Sequence, residues 1–554
     1  VAKLQELNLI EKIEELTHNV SYASKSGAVI EPYLSDQWFV SMKPLAKPAL
    51  KVVNDGQIKF HPERWVKTYN HWMENVRDWC ISRQLWWGHQ IPIWYHNETG
   101  EIYCETEPPK DLENWTQDPD VLDTWFSSWL WPFSVFGWEN NKEKDAANEQ
   151  LNYFYPTDFL GTGADIIFLW VARMIMAGLE YMGEIPFKDV YFNSIVRDGQ
   201  GRKMSKTLGN SPDPLDVIQK YGADSMRFTR IYLAPLGNDV LYDETNTEIG
   251  RNFITKLWNA GRFIAMNNEK YTDSLSDAEY KEDIIDEWIT SRLNTSLKSI
   301  EDNLKAFRLN DYSKQIYNFV WSDFCDWYIE LIKIKANHKP ENAKQIFEKG
   351  RENYLTILKI LHPIAPVVTE ELWHIFNDIE DTNSISFEAF PEMNESKINL
   401  KVENEFESLQ ELVTGIRNTR AENNISNSKK CTVYINKIND SITELSSDIL
   451  NYIKNLCNLD ELNSAAKPEG NYASKILPDY EIYLSLEGLV DKAKQKEKLE
   501  KELENLTKFY STLDKKLSNE GFLAKAAPQV IETEKEKQNN AKVQIEKIKS
   551  ILNS

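Results

Sequence analysis

The segment that decides the fold is Asp189–Asn210, which reads DVYFNSIVRDGQGRKMSKTLGN. Its first part, Val190–Val196, is short, apolar and rich in aromatic and β-branched residues, which predicts a buried strand. A loop containing Gly199 and Gly201 follows. Glycine has no Cβ, so backbone N–H groups in such a loop can come close to an anion. The segment therefore predicts a strand whose end carries an anion-binding loop.

Two lysines, Lys203 and Lys206, enter this loop together with the hydroxyl groups of Ser205 and Thr207. Two ammonium groups three residues apart suit a triphosphate whose charge shifts during reaction. For a lone Lys-x-x-Lys, a solvated basic loop is the alternative. Here the five residues from Lys203 to Thr207 resemble the KMSKS signature of class I aminoacyl-tRNA synthetases, with threonine replacing the final serine. The resemblance implies that Lys203 and Lys206 are catalytic and that, with Ser205, they bind ATP.

Two further phrases resemble the valyl branch of that family. Asp120–Trp131 interleaves acidic and hydroxyl side chains with large aromatics, which suits a small apolar pocket with a polar rim. Thr162–Met174 opens an apolar helix with Asp165 in its first turn. The resemblance implies that Trp125 is a wall of a valine pocket, that Asp165 binds the substrate ammonium and that Ile166 touches its methyl groups. The alternatives are a core tryptophan and a carboxylate favoured only by the helix dipole.

A third aromatic phrase, around residues 75–92, resembles the catalytic domain of the branched-aliphatic synthetases. Plain core packing is the expectation for Trp79 and Trp86. Arg77, Arg83 and His89 are harder to bury without partners. We therefore consider that they face a phosphate or a bound aminoacyl-adenylate.

Composition limits the class of protein. A chain of 554 residues is too long for one core, so three to five domains are expected. The net charge of −22 argues against a general polyanion binder, so any RNA contact requires local basic surfaces. Five scattered cysteines without a Cys-x-x-Cys pair indicate a reducing compartment and no protein-bound metal. No signal peptide or membrane span is visible, so we predict a cytoplasmic location.

The predicted fold class is multidomain, α/β plus all-α. It comprises part of a Rossmann-like class I catalytic domain, a helical-bundle anticodon-binding domain and an antiparallel coiled coil. Residues 1–17 are expected to form a short amphipathic helix. The predicted divisions are the end of an editing insertion (1–36), the second half of the catalytic domain with the signature loop (37–245), the helical anticodon-binding domain (246–400), a small mixed α/β unit (401–488) and a coiled-coil tRNA-binding arm (489–554).

The tail has the most regular pattern. From Leu499 to Leu517, apolar residues recur at alternating spacings of four and three, which is a heptad seam. The break at Asn519–Gly521 and a second seam from Ala541 predict an antiparallel hairpin. Residues 492–554 hold 14 lysines against 10 acidic residues, the opposite sign to the whole chain. Such charge is usually a solvated face, but the reversal favours contact with a phosphate backbone.

The resemblance covers essentially the whole chain and implies ATP-dependent attachment of valine to its tRNA through valyl-adenylate. The implied partners are valine tRNA, valine and ATP, with Mg²⁺ arriving with ATP, no membrane, and a monomeric state. None of the eight histidines lies three residues from another, so the His-x-x-His signature of class I is absent. We therefore expect the first half of the nucleotide fold and most of the editing domain to lie outside this chain, and the chain alone not to form adenylate. The alternatives are an isoleucyl- or leucyl-type ligase and, for the isolated chain, a non-catalytic tRNA-binding module.

Overall fold

The chain folds into two compact units in a computed structural model. The first comprises residues 1–195 and 236–239, and the second comprises 196–235 and 240–554. The predicted five-domain division stays a prediction. The structure describes residues 2–23, 26–205, 208–271, 280–377, 383–439, 444–465, 469–487 and 492–518, with Lys535, Gln538, Asn539, Lys542 and Ile545, and all structural statements concern these residues.

The first unit is a mixture of short helices and strands, with turns of 3₁₀-helix at Leu112–Asn114 and Ala164–Ile166 and of π-helix at Ile167–Val171 and Gly178–Met182. Its strands are β1 (Phe39–Val40), β2 (Lys59–His61), β3 (Trp79–Cys80), β4 (Ser82–Arg83), β5 (Ile93–His96), β6 (Ile102–Cys104), β7 (Trp115–Gln117), β8 (Val121–Leu122), β9 (Thr157–Gly163) and β10 (Phe187–Asn193). Its helices are α1 (Ala2–Glu6), α2 (Met42–Asn54), α3 (Trp65–Glu74), α4 (Thr124–Ser128), α5 (Trp131–Ser134), α6 (Lys142–Ala146), α7 (Glu149–Phe154) and α8 (Ala172–Ala177).

A three-stranded parallel sheet in the order β2-β10-β9 organises this unit. Val190 and Phe192 of the central strand are fully buried, as expected of a parallel strand covered by helices on its faces. The predicted buried strand is therefore confirmed, although β10 begins at Phe187 and ends at Asn193. The same core takes apolar residues from α2, α3 and α8.

Two expectations for this unit are wrong. The N-terminal helix ends at Glu6, and Leu9, Ile13 and Leu16 are exposed. An amphipathic helix of this length is only marginally stable in water without a packed apolar face. Trp79 is buried as predicted. Trp86 is fully exposed and lies in an exposed stretch that follows β4.

The second unit is mainly helical. It also contains 3₁₀ turns at Glu244–Asn246, Pro340–Asn342, Ile385–Phe387 and Glu395–Lys397, and a π-helical stretch at Phe319–Tyr328. Its strands are β11 (Val196–Arg197), β12 (Val240–Leu241), β13 (Cys431–Lys437), β14 (Leu459–Ser464), β15 (Tyr472–Ile476) and β16 (Tyr480–Ser485). Its helices are α9 (Pro214–Tyr221), α10 (Ala223–Leu233), α11 (Thr247–Tyr271), α12 (Ile284–Lys305), α13 (Leu309–Asn318), α14 (Ile329–His338), α15 (Ala343–Leu361), α16 (Pro366–Asn377), α17 (Leu400–Glu422), α18 (Ser447–Leu456) and α19 (Lys492–Leu517).

One continuous core runs from α10 through the helical bundle into a four-stranded sheet of order β14-β13-β16-β15. The apolar faces of the long helices pack into this core, as amphipathic helices require. Trp288 of α12 stacks on Phe406 of α17 with ring centroids 4.2 Å apart. The bundle and the small mixed unit are therefore packed as one body around shared side chains.

The tail is described in part. Along α19, Leu506 and Tyr510 are half-buried and Leu513 is buried, whereas Phe509 is exposed, as the seam predicts. Gln538 donates a hydrogen bond to Asp514 Oδ1 at 2.9 Å. Most of the returning segment lies outside the described residues, so the coiled-coil hairpin stays a prediction. No helix in the described ranges is long and apolar enough to cross a membrane.

Candidate functional site

The segment predicted to bind the amino acid lies at the carboxyl end of β9. There Gly163 is followed by the 3₁₀ turn that contains Asp165 and Ile166. Ligands of α/β proteins bind at the carboxyl ends of parallel strands, so this is a suitable position. The N-cap of the turn is Gly163, which has no side chain to cap it. Asp165 is therefore not the N-cap, and its side chain is exposed.

Trp125 belongs to the short helix α4, whose N-cap is Asp123. The carboxylate of Asp123 accepts a hydrogen bond from the Trp125 backbone N–H at 2.7 Å, which is the usual way to begin a helix. Trp125 itself is half-buried. Trp170 Nε1 donates to the Ser128 carbonyl at 3.0 Å. Since Trp170 follows Asp165 by little more than one turn, the structure brings the two predicted valine-binding segments together.

Two arginines hold Asp123 from the other side. Arg83 pairs with its carboxylate, and Arg173 Nη1 lies 3.9 Å from Oδ1. Arg173 is buried, with its guanidinium 3.5 Å from the centroid of the Trp79 ring. Burial lowers the pKa of Arg173 to about 10, against the opposing attraction of Asp123. Arg83, considered from sequence as a phosphate or adenylate ligand, thus has a protein carboxylate as its partner.

Sequence reasoning missed both Asp123 and Arg173. Asp123 precedes a short helical run, so the N-cap preference of aspartate was an available signal. Arg173 carried no such signal, because it stands among apolar residues of a helix and its partner is 50 positions away.

The signature loop belongs to the second unit and follows β11. Its first acidic residue, Asp198, is buried and accepts from the backbone N–H groups of Gln200 and Arg202 at 3.0 and 2.8 Å. Arg202 Nε and Asn210 Nδ2 donate to the other oxygen at 2.7 and 2.9 Å. These donors hold the pKa of Asp198 well below its ordinary value, and the hydrogen bond from Asn210 has the largest effect. Each donor lowers the pKa because it favours the ionised carboxylate.

The far end of the loop is tied back through Asn210. Its Oδ1 accepts from the Ser205 N–H at 2.9 Å, and its Nδ2 lies 3.3 Å from the Lys203 carbonyl oxygen. The two turns on either side place Gly201 at φ +78° and Gly209 at φ +59°, a region that favours glycine. The backbone of Lys203 forms an isolated antiparallel β-bridge with Arg197 of β11.

The structure therefore places the backbone of Lys203 and Ser205 beside β11, a two-residue strand that is separate from the predicted strand, which ends at Asn193. Lys206 and Thr207 lie outside the described residues, so the role of Lys206 stays a prediction. Within the described part of the chain, no group of three or more His, Cys, Asp or Glu side chains is placed to hold a metal ion.

Comparison with known proteins extends these observations. The family model described as tRNA synthetases class I (I, L, M and V) matches residues 7–111 and 109–243. The anticodon-binding domain of tRNA ligase matches residues 286–435, and the valyl tRNA synthetase tRNA binding arm matches residues 491–554. A methionyl-tRNA synthetase of Mycobacterium tuberculosis, solved with methionyl-adenylate, is similar in fold. Its TM-score is 0.52 at 17% identity, covering 67% of this chain and 69% of that one.

Similarity in sequence is much closer to valine–tRNA ligases. Those of Chlorobaculum tepidum and Geobacillus stearothermophilus are 41% and 43% identical to this chain over all of its length. The chain spans 63% and 62% of the length of those two relatives. Along its whole length the chain is thus similar to valine–tRNA ligases, and its residues 7–243 match the family model of the class I tRNA synthetases.

Proposed function

We propose that the protein containing this chain attaches valine to its tRNA in two steps. Valine and ATP give valyl-adenylate and pyrophosphate, and the 3′ end of the tRNA then accepts the valyl group. The observation that carries the proposal is the identity of 41–43% with valine–tRNA ligases along the whole chain. The contact between the two predicted valine-binding segments and the hydrogen bonds of Asp198 and Asn210 in the signature loop support it.

The amino acid is bound by the first unit. Asp165 accepts hydrogen bonds from the valine ammonium, while Ile166 and Trp125 contact its branched side chain. The hydrogen bond from Trp170 to the Ser128 carbonyl joins α4 to the π-helical turn that follows Asp165, and it supports a site that is assembled before substrate arrives. Such preorganisation is how a site favours the reacting geometry.

The triphosphate is bound by the signature loop. Lys203 and Lys206 stabilise the negative charge that develops on the departing pyrophosphate, and Ser205 contributes a hydroxyl group. Loss of one preorganised electrostatic donor typically lowers kcat by about 10²- to 10³-fold. ATP enters as the substrate together with Mg²⁺, which bridges phosphate oxygens.

The tRNA is bound by the second unit. The helical bundle contacts the anticodon end, and the lysine-rich tail contacts the phosphate backbone. With a net charge of −22 on the chain, binding through a local basic segment must weaken as salt rises, because each neutralised phosphate releases counterions. We further propose a monomeric, cytoplasmic enzyme.

The test is valine-dependent ATP–pyrophosphate exchange and aminoacylation by a full-length protein that contains this chain. Valine should support exchange far better than isoleucine or leucine, since a pocket shaped for one branched chain distinguishes an added methylene. Faster exchange with isoleucine or leucine would replace the proposal by the related ligase.

The 554-residue chain alone is expected to bind valine tRNA in a filter-binding assay without any exchange, because no pair of histidines in it has the His-x-x-His spacing. Exchange by the chain alone would contradict this part of the proposal. Binding without turnover would describe the isolated chain as a tRNA-binding module.

A further inference from the structure

The side-chain amide of Asn210 meets three separated points of the signature loop. It donates to Asp198 Oδ2 at 2.9 Å, approaches the Lys203 carbonyl oxygen at 3.3 Å, and accepts from the Ser205 N–H at 2.9 Å. A side-chain amide has two donors and an acceptor on one planar group, and here both kinds of atom are used. The loop is therefore closed across its base by one residue, which we call the Asn210 clasp.

The anchor of the clasp is rigid. Asp198 is buried, and its two oxygens receive four donors from Gln200, Arg202 and Asn210. Charge-assisted hydrogen bonds of this kind are the stronger ones. A carboxylate with both oxygens satisfied also repels a neighbouring phosphate less than an unsatisfied one. The clasp thus joins the lysine segment to a fixed point without leaving an exposed negative charge there.

We propose that Asn210 is the positioning residue of this loop, and that the clasp sets the backbone of Lys203 and Ser205 in the conformation that receives the triphosphate of ATP. This inference rests on the proposed function for the identity of the ligand. The physical reason is that fixing a backbone residue costs conformational entropy. A loop that is ordered before ATP binds does not lose that freedom in the binding step.

The test variant is Asn210→Asp, which keeps the shape but removes both donors and sets a second carboxylate against Asp198. In the full-length protein we expect KM for ATP to rise and kcat for exchange to fall, by about 10- to 100-fold in kcat/KM, the range for a misplaced catalytic group. KM for valine and affinity for tRNA should stay within twofold, since the amino-acid and tRNA contacts are elsewhere. A merely structural defect would lower all of them together.

A second variant, Asn210→Ala, removes the amide without setting a second carboxylate against Asp198. It should lower kcat/KM for ATP by about 10- to 100-fold, as Asn210→Asp does. The matched control is Asn455→Asp on the exposed surface of α18, where the amide donates to the Asn451 carbonyl at 2.7 Å; it should behave as wild type. If Asn210→Asp is unstable, Asn210→Ala decides: a loss confined to the ATP kinetics supports the clasp, and wild-type ATP kinetics overturn it.

Hydrogen exchange of the 554-residue chain supplies a readout that is independent of activity. Asn210→Ala removes the acceptor of the Ser205 N–H and should speed amide exchange at Ser205 at least tenfold, with the amides of α18 unchanged. Faster exchange at Ser205 with wild-type ATP kinetics would show a tie without a positioning role and would overturn the inference. Absence of valine-dependent turnover in the wild-type full-length protein would instead refute the proposed function, and it leaves the loop result readable.

Discussion

Replacing Lys335 by methionine should destabilise the second unit strongly. Lys335 lies in α14 and is 1% exposed. Its ammonium pairs with Asp286, which is equally buried, and with Asp283 Oδ1 at 2.9 Å, and it donates to the Tyr280 hydroxyl at 2.8 Å. Asp283 and Asp286 form the capping box of α12. One ammonium therefore neutralises the carboxylates that begin a core helix.

The size of the effect follows from the burial. Methionine fills a similar volume but leaves the buried Asp286 without its cation. Removing one partner of a buried ion pair costs about 3–5 kcal/mol. Adding Asp286→Asn removes that orphaned charge while keeping an acceptor for Tyr280 and for the backbone of Asp283. The double variant should therefore regain about 1–3 kcal/mol, the usual coupling for residues in contact.

Urea unfolding of the 554-residue chain measures these differences from the shift in midpoint at constant slope. The matched control is Lys333→Met in the same helix, whose partner is Glu330 at 2.6 Å on the surface. An exposed pair of this kind contributes less than about 1 kcal/mol. If Lys335→Met unfolds at the same midpoint as Lys333→Met, the carboxylates do not need the cation and the reasoning is refuted.

Three further predictions concern other parts of the chain. Gly250→Ala should lower the free energy of unfolding by about 1–3 kcal/mol, because the new Cβ would lie 2.2 Å from the Ser225 carbonyl oxygen. Thermal unfolding measures the effect, with Gly199→Ala as the control because a Cβ there meets open space. Equal midpoints for the two variants would contradict the prediction. Burial lowers the pKa of His362 in the folded chain. Near and below the ordinary histidine pKa of about 6.5, the unfolded chain therefore binds more protons than the folded chain. Stability should therefore fall between pH 7 and pH 5, and His362→Gln should flatten the profile; an unchanged slope would count against it. In the full-length protein, Asp165→Asn should raise KM for valine at least tenfold with little change in KM for ATP, both measured by ATP–pyrophosphate exchange. The reason is the loss of a hydrogen bond to a charged group, which is worth about 1.5–3 kcal/mol. An unaltered KM for valine would remove Asp165 from the site.

Much of the fold was predictable because local pattern and tertiary packing agree. The helical bundle predicted for residues 246–400 is one example, since the apolar residues of α11 and α12 face the shared core. The β-branched run before the signature loop predicted β10 for the same reason. Trp86 shows the limit of such reasoning, since aromatic content predicts average burial but not which ring of a phrase turns outward.

Sequence supplied candidates for the site and missed the residues that support it. Lys203 and Ser205 could be proposed because their spacing matches a signature, and Asp165 because a carboxylate suits the proposed substrate ammonium. The bonds of Asn210 reach back 5, 7 and 12 residues, and they exist only because Gly201 and Gly209 curve the chain between them. That curvature is a property of the folded loop, and no periodicity in the sequence reports it.

The division of the chain between its two units has a practical consequence for protein dissection. The backbone crosses from one unit to the other at Ile195–Val196, at Pro235–Leu236 and again at Asp239–Val240. The short excursion Leu236–Asp239 is bound by first-unit groups: the Gly237 carbonyl accepts from Arg64, and Asp239 accepts from the Ile195 N–H at 3.4 Å. A protein that begins at Val196 would keep these four residues but lose the first-unit groups that bind them. Separate expression of the second unit therefore calls for a short polar linker in their place.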